Sequence, residues 1–172
     1  MVKSIDTILG TIAYEDAVPY IIAEIPTNPR VEVPDLQSLK TVLEKKRTTA
    51  SGTKANDAVF ILDQTFCPNV QFFGDDEVLS SVRAISYASG SKFPSGGLCT
   101  AGYCVGNEMT ISLLSKIEKH LLLCDNEATA EQYKILANQL PSMNNRIDEA
   151  YQNTRDFVNF ISKTLRRGSF FT

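Results

Sequence analysis

The sequence predicts an α/β fold, with a mixed, mostly parallel sheet flanked by helices. Three observations predict it. Short, nearly continuous apolar runs such as Tyr20–Ile25 and Val59–Leu62 suit strands buried on both faces, as parallel strands are. Stretches with apolar residues at helical spacing follow or separate them. Strand–helix units succeeded by a run of helices is the pattern of a parallel sheet covered by helices.

Each element has its own warrant. Residues 5–17 read as a helix with Ser4 as its cap. The run Tyr20–Ile25 reads as the first strand, ended by Pro26-Thr27-Asn28-Pro29. Pro34-Asp35 opens a helix to about Lys46, with Leu36, Leu39, Val42 and Leu43 on one stripe. The polar stretch 48–54 is a loop. Residues 59–63 and 83–89 are the next two strands, with a short helix expected near 76–81, and 101–106 supplies a fourth. Residues 109–123 place Ile111, Leu114, Ile117 and Leu121 at helical spacing. A further helix runs over 128–140. The last spans about 142–165, with Ile147, Tyr151, Phe157, Val158 and Ile161 as its expected inner face.

Composition narrows the function class. A chain of 172 residues, 43% apolar and 22% charged, holds one domain with a real core. A net charge of −3 with no basic tract argues against nucleic acid as partner. No apolar run reaches the ~18 residues that span a bilayer, and the N-terminus lacks a signal peptide's apolar stretch. The expectation is a cytoplasmic protein that engages no membrane. Cys99 with Cys104, and His120 with Cys124 one helical turn apart, raise the question of zinc. Without a C-x-x-C knuckle they read better as small hydrophobes and a surface histidine, with all four thiols reduced, and no metal is predicted.

The chemistry concentrates at three strand ends, where ligands bind in open α/β sheets. Asn28 follows the first strand, Asp63 closes the second, and Ser89-Gly90-Ser91-Lys92 follows the third. One amine, two hydroxyls and a carboxylate suit pyridoxal 5′-phosphate. Lys92 would condense with its aldehyde and later move protons. Ser89, Ser91 and nearby amides would hold its phosphate. Asp63 would keep its ring nitrogen protonated, and Asn28 would donate to its phenolic oxygen. Singly, each residue has a plainer reading. A lysine in a Gly/Ser loop is usually solvated, Asp63 can cap the turn after it, and the Pro-Thr-Asn-Pro segment can simply turn. A nucleotide-phosphate loop is a further reading of 89–97, although the order G-x-x-x-x-G-K-[ST] is absent.

Three segments, in order, resemble one family. Glu24-Ile25-Pro26-Thr27-Asn28-Pro29 with Val33-Pro34-Asp35-Leu36 resembles E-[ST]-P-[ST]-N-P and V-x-D-[IL]. Leu62-Asp63-Gln64-Thr65-Phe66 resembles V-D-N-T-F, and Ser89-Gly90-Ser91-Lys92-Phe93-Pro94-Ser95-Gly96 resembles S-x-[ST]-K-[YF]-x-x-G. These belong to the pyridoxal-phosphate enzymes of cysteine and methionine metabolism, the transsulfuration group that includes cystathionine gamma-synthase, the cystathionine lyases, methionine gamma-lyase and homoserine-ester sulfhydrylases. The resemblance runs from about Ile21 to Gly106 and more loosely beyond.

It implies part of a fold type I large domain, with Lys92 as the lysine that binds the cofactor's aldehyde and Asp63 as the ring-nitrogen partner. Ser89 and Ser91 become phosphate ligands and Asn28 the O3′ contact. It also implies a lyase or transferase acting on a sulfur amino acid or a homoserine ester, and a homo-oligomer whose sites draw on two subunits. Two departures stand out. Gly96-Gly97-Leu98-Cys99 stands where the family reads G-H-S-D. Nothing matches the family's upstream phosphate ligands and stacking tyrosine, or the carboxylate-gripping arginine of its small C-terminal domain. Residues 1–172 therefore read as a partial cofactor-binding domain, with 142–165 as a long connecting helix. The contrasting hypothesis is a non-catalytic chain that keeps the fold in a structural or regulatory role.

Overall fold

In a computed structural model, which describes residues 2–164, three parallel strands lie side by side in chain order and a fourth reverses. β1 (Tyr20–Glu24), β2 (Val59–Asp63), β3 (Ala84–Ala88) and β4 (Tyr103–Gly106) form one sheet in the order β1-β2-β3-β4. The first two pairings are parallel and the last is antiparallel. The mixed, mostly parallel sheet with flanking helices is the class that the apolar runs predict.

Register decides which side chains share a face. Ile21 and Ala23 lie beside Phe60 and Leu62, and Phe60 beside Ala84. Helices α1 (Val2–Tyr14) and α2 (Leu36–Glu44) pack on that face through Leu9, Leu39 and Leu43. Full burial of each such side chain contributes about 1.5–3 kcal/mol. Asp35 caps α2, its Oδ1 accepting the Gln37 and Ser38 amides at 3.1 and 3.2 Å. Arg47 ties the two helices, donating to Asp6 at 2.7 Å and to the Val42 carbonyl at 3.1 Å.

The opposite face is open over much of its area. Ile22 is 69% exposed there, and Glu24, Asp63, Tyr87 and Cys104 follow one another in register across the four strands. Its far end is covered. A short 3-10 turn (Glu108–Thr110) and α3 (Ile111–Leu123) place Thr110 and Leu114 against β3 and β4. The buried Thr110 hydroxyl donates to the Ala84 and Asn107 carbonyls at 3.2 and 2.8 Å. α4 (Ala130–Gln139), opened by a Thr129/Gln132 capping box, leads through a 3-10 turn at Leu140–Ser142 into α5 (Met143–Thr164).

Three expectations fail. α1 begins at Val2, so Ser4 lies inside its first turn and caps nothing. Residues 76–81 are turns rather than a helix, because the Leu79 amide reaches back to the Phe72 carbonyl at 3.1 Å. Glu77, Ser80 and Val82 instead bond three residues back. The expected inner face of α5 is inner only at its start. Ile147 is buried, whereas Tyr151, Phe157 and Val158 stand about half or more exposed as the helix leaves the body. The end of the predicted last helix, at residue 165, lies outside the described residues.

Candidate functional site

All five predicted residues lie at the carboxyl edge of the parallel strands, on three successive connections. The parallel register aligns Glu24 with Asp63 and Asp63 with Tyr87, so the ends of β1, β2 and β3 come level. Asn28 sits four residues past β1 in an exposed turn. Its amide donates to Glu24 Oε2 at 3.0 Å, and the Val31 amide closes the turn on the Thr27 carbonyl at 2.7 Å. The plain turn reading of this segment is thus realised, while the Asn28 side chain stands in the open.

Asp63 ends β2. Its Oδ1 accepts the Thr65 amide at 2.8 Å, the capping role open to any aspartate before such a turn. Thr65 then joins the second and third strand ends, since its hydroxyl accepts the Ser89 amide at 3.0 Å. Asp63 and Ser89 are in this way two hydrogen bonds apart. Sequence reasoning assigned no role to Thr65, although it stands inside the Leu62–Phe66 motif.

Ser89 and Ser91 face each other across a kink, their hydroxyls 2.8 Å apart, and the Ser91 amide leans on Ser89 Oγ at 3.3 Å. The kink depends on Gly90. A β-carbon there would fall 1.4 Å from the Ala101 carbonyl oxygen, so the chain passes where only glycine fits. Lys92 follows on the exposed crest of successive turns, in which its carbonyl accepts the Gly97 amide and that of Phe93 accepts the Gly96 amide, both at 3.2 Å. Gly96 and Gly97 have φ of +64° and +82°, which their lack of a side chain makes inexpensive. Below the crest, fully buried Ser95 grips the far side of the loop by bonding both the amide and the carbonyl of Cys99.

The electrostatics of the row centre on Asp63. Burial pushes the Cys67 thiol up to about 11, and the Asp63 charge adds to it. The Tyr87 phenol is also raised, first by burial, then by Asp63 beside it and by the charge of Glu24. Both groups are therefore neutral near pH 7. The Cys67 thiol is committed to the Ile25 carbonyl at 3.1 Å, which pins the turn after β1 to that after β2. Tyr87 read in the sequence only as a strand residue; its place beside Asp63 comes from the register.

A groove of about 1060 Å3 runs from Tyr87 and Ser89 past Tyr103 and Cys104 to α3 and the Asp125–Glu127 turn. Among the predicted residues it includes Ser89; Asn28, Asp63, Ser91 and Lys92 do not line it. The His120 and Cys124 pair is 3.6 Å apart at the end of α3, and among the described residues no cluster of three metal-ligating side chains forms. No helix among them is long and apolar enough to cross a membrane.

The fold recurs among solved proteins. The chain is similar to metB of Corynebacterium glutamicum at 19% identity and a TM-score of 0.64, over 98% of this chain and 39% of that one. It is similar to the cystathionine gamma-lyase of Lactobacillus plantarum, solved with L-serine, at 19% identity and a TM-score of 0.65, over 86% and 35%. A third likeness is to the cystathione gamma lyase CalE6 of Micromonospora echinospora, at 19% identity and a TM-score of 0.55, over 73% and 29%. The chain has the fold of part of these proteins and spans less than two fifths of their length. No family model and no curated protein matches its sequence.

Proposed function

We propose that this chain is the central part of a pyridoxal 5′-phosphate enzyme of sulfur amino-acid metabolism, of the cystathionine gamma-synthase and lyase type. Its substrate would be a sulfur amino acid or an acylated homoserine, and its reaction elimination or replacement at the β or γ carbon. The observation that carries this reading is the level edge at which Asn28, Asp63 and the Ser89–Lys92 loop end three consecutive parallel strands. The likeness in fold to two cystathionine lyases supports it.

The residues present fit the cofactor by their chemistry. A solvent-facing amine sits on a loop held by turns, two hydroxyls lie 2.8 Å apart beside it, and a carboxylate lies at the neighbouring strand end. When bound, the cofactor supplies an electron-withdrawing ring that stabilises negative charge on the substrate's α carbon. Lys92 would hold the aldehyde and then carry a proton on its Nζ between substrate carbons. Asp63 would hold the proton on the ring nitrogen, Asn28 would donate to the ring oxygen, and Ser89 and Ser91 to the phosphate.

The test of the Asp63 role is its conversion to asparagine in cofactor-loaded protein. A carboxylate favours the protonated ring, so Asp63→Asn should lower the ring-nitrogen pKa by about 1–3 units, read from the pH titration of the cofactor's absorbance. An unmoved titration would remove Asp63 from the site. The small share of its relatives that this chain spans leads to a second expectation. Assayed alone, it should release no sulfide, cysteine or 2-oxobutyrate from sulfur amino acids, and its mass in solution should exceed a monomer's, since Tyr20 and Ile22 leave an apolar strand edge uncovered. Steady turnover by a monomer would contradict this.

A further inference from the structure

We propose that Arg146 is a positioning residue for Lys92, bracing the lysine loop against the corner between α4 and α5. This rests on the reading of Lys92 as the reactive amine. The guanidinium reaches across 53 residues of sequence to donate, through Nη2, to the carbonyl of Phe93, the residue directly after Lys92. Its Nη1 donates to the Gln139 carbonyl at 2.9 Å and to the Ser142 hydroxyl, so one end of the fork is held by the corner while the other reaches the loop. A planar cation fixed at one end and bonded at the other transmits position, which a flexible ammonium does less well.

The loop is shaped to receive it. A β-carbon on Gly96 would lie 3.5 Å from Gln139 Oε1 and 3.8 Å from Arg146 Nε, ordinary contact distances that place this turn beside the corner. The Phe93 carbonyl takes the Gly96 amide from within the turn and Arg146 from outside. On the sheet side the same loop is clamped by Gly90 against Ala101 and by Ser95 against Cys99. Lys92 lies between these two clamps, and Arg146 is the charged, long-range member of the outer one. α5 is secured to the body just here, by Met143 and Ile147, so the brace stands on a fixed base.

The test uses the whole chain, pyridoxal 5′-phosphate and borohydride, with the label located by peptide mass spectrometry. In the unchanged protein Lys92 should take label in preference to the other lysines. Arg146→Gln should lower that preference about tenfold, the value of one charge-assisted hydrogen bond. It should also speed hydrogen exchange at the Gly96 and Gly97 amides while β2 and β3 stay protected. Arg146→Lys, which keeps the charge but loses the planar fork, should restore about half of the preference on a logarithmic scale. Undiminished preference in Arg146→Gln overturns the inference and leaves the reading of Lys92 standing. Faster exchange throughout β2 and β3, unrelieved in Arg146→Lys, would make Arg146 a general prop and overturns it too. Unselective labelling of the unchanged protein overturns the reading of Lys92 itself, and the inference falls with it.

Discussion

Lys92→Ala should abolish the selective, borohydride-stable pyridoxyl label and leave only the slow background shared by surface lysines. The expected effect is complete because no neighbouring amine can substitute. The residues around the crest of the loop are Ser89, Gly90, Ser91, Phe93 and Pro94, and the basic group bonded to the loop, Arg146, is occupied by the Gln139 and Phe93 carbonyls. Arginine also stays protonated at any working pH and does not attack an aldehyde as a free amine does. The change costs little stability, since Lys92 is exposed and its loop is held through backbone atoms. A folded Lys92→Ala protein that still takes label at one dominant site would show that another lysine holds the cofactor.

Gly90→Ala should produce the largest loss of stability of any glycine-to-alanine change among the described residues, about 3–5 kcal/mol in urea denaturation. The new carbon would meet the Ala101 carbonyl at 1.4 Å for the oxygen and 2.4 Å for the carbon. These are backbone atoms, so relief requires moving a strand rather than rotating a side chain. The clash is reciprocal, for a β-carbon on Gly102 would meet the Ala88 carbonyl oxygen at 2.2 Å. Two glycines thus let the chain entering the lysine loop cross the chain leaving it. Gly10→Ala is the internal control. It lies in α1 with nothing within 4 Å of the added carbon, and should stabilise by about 0.5–1 kcal/mol through helix propensity. If both changes cost the same, the close crossing is not what makes Gly90 necessary.

What could be read in the sequence was what local pattern encodes. The four strands lie where apolar runs put them, because a strand buried on one or both faces writes its burial into consecutive residues. The strand-end position of Asn28, Asp63 and Lys92 followed from those runs. The turns at 76–81 were not legible, since the bond from Leu79 to Phe72 that draws the segment out of a helix depends on the sheet beneath it. The outer half of α5 carries a helical apolar stripe and yet faces solvent, because periodicity reports an amphipathic face but not what lies opposite it. Tyr87 and Arg146 escaped notice for a related reason. Each acts on a partner brought near by register or tertiary docking, and no spacing rule connects Arg146 with Phe93.

The strand order has a consequence for how the domain assembles. Each strand pairs with its immediate predecessor, so none has to be threaded between two others already joined. The sheet can lengthen at one margin as successive segments leave the ribosome, and its loop-closure costs are met one connection at a time. The edge bearing Glu24 and Asp63 is then in place before the Ser89–Lys92 segment is made, and β4 must fold back beside β3 before that segment can take its turns. In a pulse-labelling experiment, amides of β1 and β2 would be protected first, and those of Gly96 and Gly97 among the last.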